Sequence, residues 1–116
     1  VHFKHFAPAP KDYAVARYNF EAWRHWTIIN DRLAKMPYML GNEYTLVDMA
    51  VWGWARAVPF ILGNEAWENL PNVKRLLDEI NERPAAQRAE ALKNKHCYKS
   101  EMDAEARKAM FPQITQ

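Results

Sequence analysis

Apolar side chains recur along this chain at steps of three and four. Nowhere do they alternate with polar ones for long enough to suggest a half-buried strand. Val15, Tyr18, Ala22, Trp26, Ile29 and Leu33 form one such stripe, which predicts a long amphipathic helix. "APAPK" breaks the chain ahead of it, with Pro10 suited to the first helical turn and Asp12 to the positive end of the helix dipole. Pro37 and Gly41 in "KMPYMLGNE" end it. A second helix is predicted from Leu46 to about Val58, where Pro59 kinks or stops it. "LGNEAWENLPN" reads as a loop with room for a helical turn. Val73, Leu76, Leu77 and Ile80 mark an amphipathic helix that starts near Pro71 and ends before "ERP". Pro84 opens a shorter Ala-rich helix to about Leu92. In the more polar tail, Ser100 and Asp103 are placed to cap a last helix over residues 101–110, with Met102, Ala106 and Met110 inward. The fold class is therefore all-α, a bundle of four to six helices with no sheet.

The start of the second helix, "YTLVDMAVWGW", sets a Thr and an Asp three apart in front of a strongly apolar run. The first amides of a helix have no partner inside it. Thr45 as N-cap and Asp48 three residues on satisfy two of them reciprocally, while Tyr44 and Met49 are placed to staple across the cap. Leu46, Val47, Met49, Val51, Trp52 and Trp54 surround this helix with apolar side chains, which predicts that it is central and buried. Ala50, Gly53 and Ala57 share a face that would let a neighbouring helix approach closely. At a buried helix start an unpaired amide costs about 1–3 kcal/mol, so the box becomes obligatory and Asp48 a structural carboxylate, poorly suited to act as a base.

Length and composition narrow the class. The 116 residues suit one domain, taken as 1–116, able to bury about two-thirds of its unfolded surface. Apolar residues make up 49%, which argues against disorder, and only three glycines favour helices. The net charge of +2 is spread without a basic stripe, so no nucleic-acid partner is expected. The longest apolar run, Leu46 to Trp54, is too short to span a bilayer, so no membrane partner is expected either. A single cysteine, Cys97, excludes an intrachain disulfide framework and fits a cytoplasmic setting. His96 stands beside it, yet no third group orients the pair and the thiol is read as incidental. His2 and His5 are three apart without a third ligand, so no metal is expected. The chain opens on "VHFKHF" without an initiator Met, which reads as the middle of something longer.

"YTLVDMAVWGW" preceded by "GN", and "NLPNVKRLLDEINERPA" about thirty residues later, together resemble the C-terminal all-helical domain of glutathione transferases. The upstream "HFKHFAPAPKDYAVARYNFEAWRHW" is similar to a bacterial subgroup, the nu class and the disulfide-reductase-like transferases. The likeness spans Phe3 to Leu92, while "APKDYA" and Ala16 depart from that subgroup's pattern. The resemblance implies that the family's thioredoxin-like domain, which binds glutathione and carries the catalytic polar residue, is absent from these residues. It also implies that the full protein is a cytoplasmic homodimer acting on a small hydrophobic electrophile or a disulfide, with glutathione as co-substrate. This domain by itself would then be inactive, with no catalytic residue of its own.

The same resemblance puts Arg17 of "YAVARY" across the dimer toward a glutathione carboxylate, which a guanidinium can hold bidentately. Glu21, four residues on, is the competing partner in an ordinary surface ion pair. Phe3, His5 and Phe6 match the region that overhangs the transferases' co-substrate pocket; the plainer expectation is that Phe3 and Phe6 only pack one helix on the next. From another functional class, a non-catalytic transferase-like interaction module fits the same residues.

Overall fold

The computed structural model describes residues 1–7, 11–96 and 101–112, and among them every long element is helical. A π-helical turn (His2–Phe6) precedes α1 (Asp12–Lys35), α2 (Leu46–Ala55) and α3 (Val58–Leu62). α4 (Ala66–Asn69), α5 (Pro71–Asn81), α6 (Pro84–Lys95) and α7 (Ala104–Met110) follow. Pro10, Cys97 and Ser100 lie outside the described residues.

α1 is 24 residues long, about 36 Å at 1.5 Å per residue. Trp26 and Leu33 are buried, and Ala22, Trp23 and Ile29 flank them against the core. Tyr18 departs from the predicted inward stripe, being 60% exposed. The helix stops at Met36, whose backbone is extended (φ −139°, ψ 146°) because the following Pro37 crowds the helical region. Tyr38 and Gly41 then exchange backbone hydrogen bonds of 3.0 and 3.2 Å across a turn, with Gly41 at φ +131°, where a side chain would be strained.

α5 is the centre of the bundle, packing on α1, α2, α4 and α6. The four residues of its predicted stripe, Val73, Leu76, Leu77 and Ile80, are all buried. Its start is closed from another helix: Asn30 of α1 offers its Oδ1 to the Asn72 amide at 2.9 Å and to that of Val73 at 3.4 Å. Pro71 occupies the first turn, where a missing N–H leaves no bond unmade.

The second helix differs from expectation in two ways. It ends at Ala55, and after a two-residue turn α3 starts at Val58 with Pro59 in its first turn, so this proline begins a helix. Nor is α2 central or buried all round: Asp48 and Ala55 are its only buried residues, while Leu46 is 77% and Trp54 72% exposed. The physical reason is that α5 and the 36–45 loop lie on one side of it only. A Cβ at Gly53 would meet nothing within 4 Å, so no helix among the described residues uses the close approach that Ala50, Gly53 and Ala57 permit.

The tail follows its sequence in part. Asp103 caps α7, its Oδ1 accepting from the Ala106 amide at 2.9 Å. Met110 was expected inward and is exposed; the contact is made one residue later, where Phe111 meets the His2 ring at 4.7 Å. α6 runs to Lys95, three residues beyond the predicted end.

Candidate functional site

Two constellations concentrate polar side chains. The first surrounds Asp48, fully buried at the start of α2, where both halves of the capping box are present. Asp48 Oδ2 accepts from the Thr45 amide at 2.8 Å and from the Thr45 hydroxyl at 3.0 Å, and Oδ1 accepts from the Met39 amide at 2.8 Å. The carboxylate therefore fixes the helix start and also the preceding loop. Three donors leave it little capacity to take a proton from a substrate. Tyr44 packs at the edge of the core beside Tyr38, with the Arg83 guanidinium 3.7 Å from its ring centroid, while Met49 is half exposed. Tyr38 donates to Glu79, and this bond raises the Tyr38 pKa above its usual value; Arg83 pulls the other way, more weakly. The cluster joins the 36–45 loop to α5 and reads as architecture.

The second constellation is a cleft of about 620 Å³ between the π-helical turn, α1 and α3. Its apolar wall is built by Phe3, Val15, Tyr18, Ala22 and Ile61. Phe3 and Tyr18 stack, with ring centroids 5.4 Å apart and 14° between planes. This contact explains the exposed Tyr18: its ring faces the cleft. His2, Lys4, Arg17, Glu21 and His25 make the polar wall. Lys4 Nζ donates to the Ile61 carbonyl at 3.0 Å and so ties the turn to α3.

Arg17 and Glu21 form the helical ion pair expected from their spacing, and Arg24 joins it. Arg24 grips Glu21 Oε2 through Nε at 2.9 Å and Nη2 at 2.8 Å, and its Nη2 also lies 3.1 Å from His25 Nε2. The hydrogen bond from Arg24, and then that from Arg17, holds the Glu21 carboxyl below the usual carboxylate range. A cleft lined by apolar side chains together with Lys4 and Arg17 can hold a flat or aliphatic body that carries an anionic group.

Of the residues singled out from sequence, the cleft brings together Phe3 and Arg17. It leaves out His5, which stacks on Phe60 at 4.2 Å, and Phe6, which lies beside His5 at 6.5 Å. The helical spacing of Arg17, Glu21 and Arg24 was the available signal for the charged wall. Tyr18 carried no such signal, since its place in the inward stripe of α1 reads as core, and nothing in the sequence marked Ile61.

The sequence pattern for the glutathione S-transferase C-terminal domain matches residues 10–88, more than half of the chain. The chain belongs to the glutathione S-transferase family, as its C-terminal domain. A glutathione S-transferase domain-containing protein of Dictyostelium discoideum is 38% identical over 85 residues, which cover 72% of this chain and 33% of that protein. The disulfide-bond oxidoreductase YghU of Escherichia coli K12 is 38% identical over 94 residues, 75% of this chain and 32% of its own length. A second E. coli disulfide-bond oxidoreductase, YfcG, is 34% identical over 88 residues, 76% of this chain and 40% of its own. The chain thus spans a third or a little more of these relatives. Its all-helical architecture is that of the family's C-terminal domain. No helix among the described residues is long and apolar enough to cross a membrane.

Proposed function

We propose that this chain is the helical half of a glutathione-dependent enzyme that conjugates a small hydrophobic electrophile or reduces a disulfide. The observation that carries the reading is the cleft, which a stacked aromatic pair and an arginine line together. Phe3 and Tyr18 hold the apolar body of the co-substrate. Arg17 uses its free guanidinium edge to hold a glutathione carboxylate with two parallel hydrogen bonds. That carboxylate belongs to peptide bound by the other subunit of a homodimer. A thioredoxin-like domain outside these 116 residues binds glutathione and lowers the pKa of its thiol, so the thiolate is the nucleophile.

Two further observations support this. Two relatives bear names that specify disulfide-bond oxidoreduction. The bare apolar face of α2, with Leu46 and Trp54 outward, is the surface that such a domain would cover. The setting is cytoplasmic. Glutathione enters as substrate, and no metal takes part.

The test is glutathione-dependent turnover of an aryl halide and of a small disulfide by the whole protein. Activity with either, together with a glutathione KM raised at least about ten-fold by Arg17→Ala, is the expected outcome. A protein that neither binds immobilised glutathione nor turns over these substrates is instead a transferase-like interaction module, and the proposal fails.

A further inference from the structure

Glu21 lines the cleft, yet the proposed chemistry gives it no task, and as an anion it ought to disfavour a carboxylate ligand. Its two oxygens are committed to different partners. Oε2 receives both the Nε and the Nη2 of Arg24, which does not line the cleft, and Oε1 receives the Nη1 of Arg17, which does. Arg17 uses only that one nitrogen in hydrogen bonding among the described residues, so its remaining N–H edge is free. The side chain of Arg17 is 52% exposed, and an arginine so exposed and unheld would sample many rotamers. Glu21 is far less exposed than either guanidinium, which makes it the fixed point of the three.

We infer that Glu21 is a positioning residue for carboxylate recognition: anchored from outside the cleft by Arg24, it holds the Arg17 guanidinium at the cleft wall with its free edge toward the substrate. Two effects of Glu21 then oppose each other. Its charge repels the incoming carboxylate, but Arg24 offsets that charge and salt screens the remainder. Its hydrogen bond restricts Arg17 before binding, so the ligand does not have to order that side chain. With the charge offset and screened, pre-ordering prevails.

The inference rests on the reading of Arg17 as the carboxylate holder, and the experiment separates the two. Glutathione KM and kcat are measured for the whole protein and for Glu21→Gln, Arg24→Ala and Arg17→Ala, with melting temperature recorded for each. Pre-ordering predicts that Glu21→Gln raises the glutathione KM by roughly two- to ten-fold, about the factor for ordering one rotamer-rich side chain. Little change is expected in kcat, in the co-substrate KM or in melting temperature. Arg24→Ala, which removes the anchor and leaves Glu21 in place, should move KM in the same direction. Charge alone predicts the reverse, since Glu21→Gln makes the wall more positive. A KM that is unchanged or lowered in Glu21→Gln, while Arg17→Ala still raises it, overturns the role of Glu21 and leaves that of Arg17 standing. An Arg17→Ala enzyme with an unaltered KM overturns both.

Discussion

Removing the carboxylate of Asp48 tests the architecture most directly. Asp48→Ala removes a fully buried carboxylate and strands the part-buried amides of Thr45 and Met39, together with the Thr45 hydroxyl. Two unpaired, part-buried amides at about 1–3 kcal/mol each give a loss of roughly 4 kcal/mol. An unfolding entropy of about 2.1 cal/mol/K per residue over 116 residues converts this to a melting point lower by about 16 °C. Thr45→Ala removes one hydroxyl and leaves both amides bonded to Asp48, so it should cost only about 1 kcal/mol, or roughly 4 °C. Urea denaturation followed by far-UV ellipticity reads both, with an unchanged m-value showing that the unfolded state is not the cause. If Asp48→Ala costs no more than about 1 kcal/mol, the cap behaves as an exposed one. The reasoning from burial would then be wrong.

Two more outcomes follow from the geometry. Gly53→Ala should stabilise this chain by about 0.5–1 kcal/mol, because the new methyl meets nothing within 4 Å and helix propensity improves. Should the gain vanish or reverse in the whole protein, the Gly53 face is covered there; a loss in this chain alone refutes the prediction. Tyr38 should ionise above the usual tyrosine value near 10, as its hydrogen bond to Glu79 favours the neutral phenol. A pKa raised on folding gives stability that is full below the unfolded value and is lost as pH rises through the folded one. Alkaline unfolding should therefore steepen above about pH 10 and flatten in Tyr38→Phe, while difference absorbance at 295 nm follows the phenolate itself. An absorbance step for Tyr38 at or below the ordinary value sinks this account.

The parts legible in the sequence were those whose partners sit close by in the chain. The α5 stripe emerged residue for residue, since Val73, Leu76, Leu77 and Ile80 report a local period. Thr45 and Asp48 share one helical turn, and their pairing could be read for the same reason. Apolarity, by contrast, says that a residue is to be covered but not what covers it. Leu46 and Trp54 were therefore read as core and are bare among the described residues. Long-range polar bonds left no trace in the pattern: Asn30 capping α5 bridges 42 positions, and Met39 reaches Asp48 across a turn that sequence does not specify. In the cleft, Phe3 and Arg17 were singled out from sequence and both line it. His5 was singled out as well, but it stacks on Phe60 away from the cleft.

Pro59, Pro71 and Pro84 each stand in the first turn of a separate helix. A ring that cannot donate an amide proton can open a helix but cannot lie within one without breaking it. Each helix from α3 to α6, the four-residue α4 excepted, therefore has its own punctuation mark and takes its register from that mark, whatever the preceding helix does. Lengthening or shortening a connecting turn by a residue shifts where the next helix sits in space without changing which of its side chains share a face. This stretch of the chain can accordingly tolerate drift in its joints while the inward pattern of each rod is preserved.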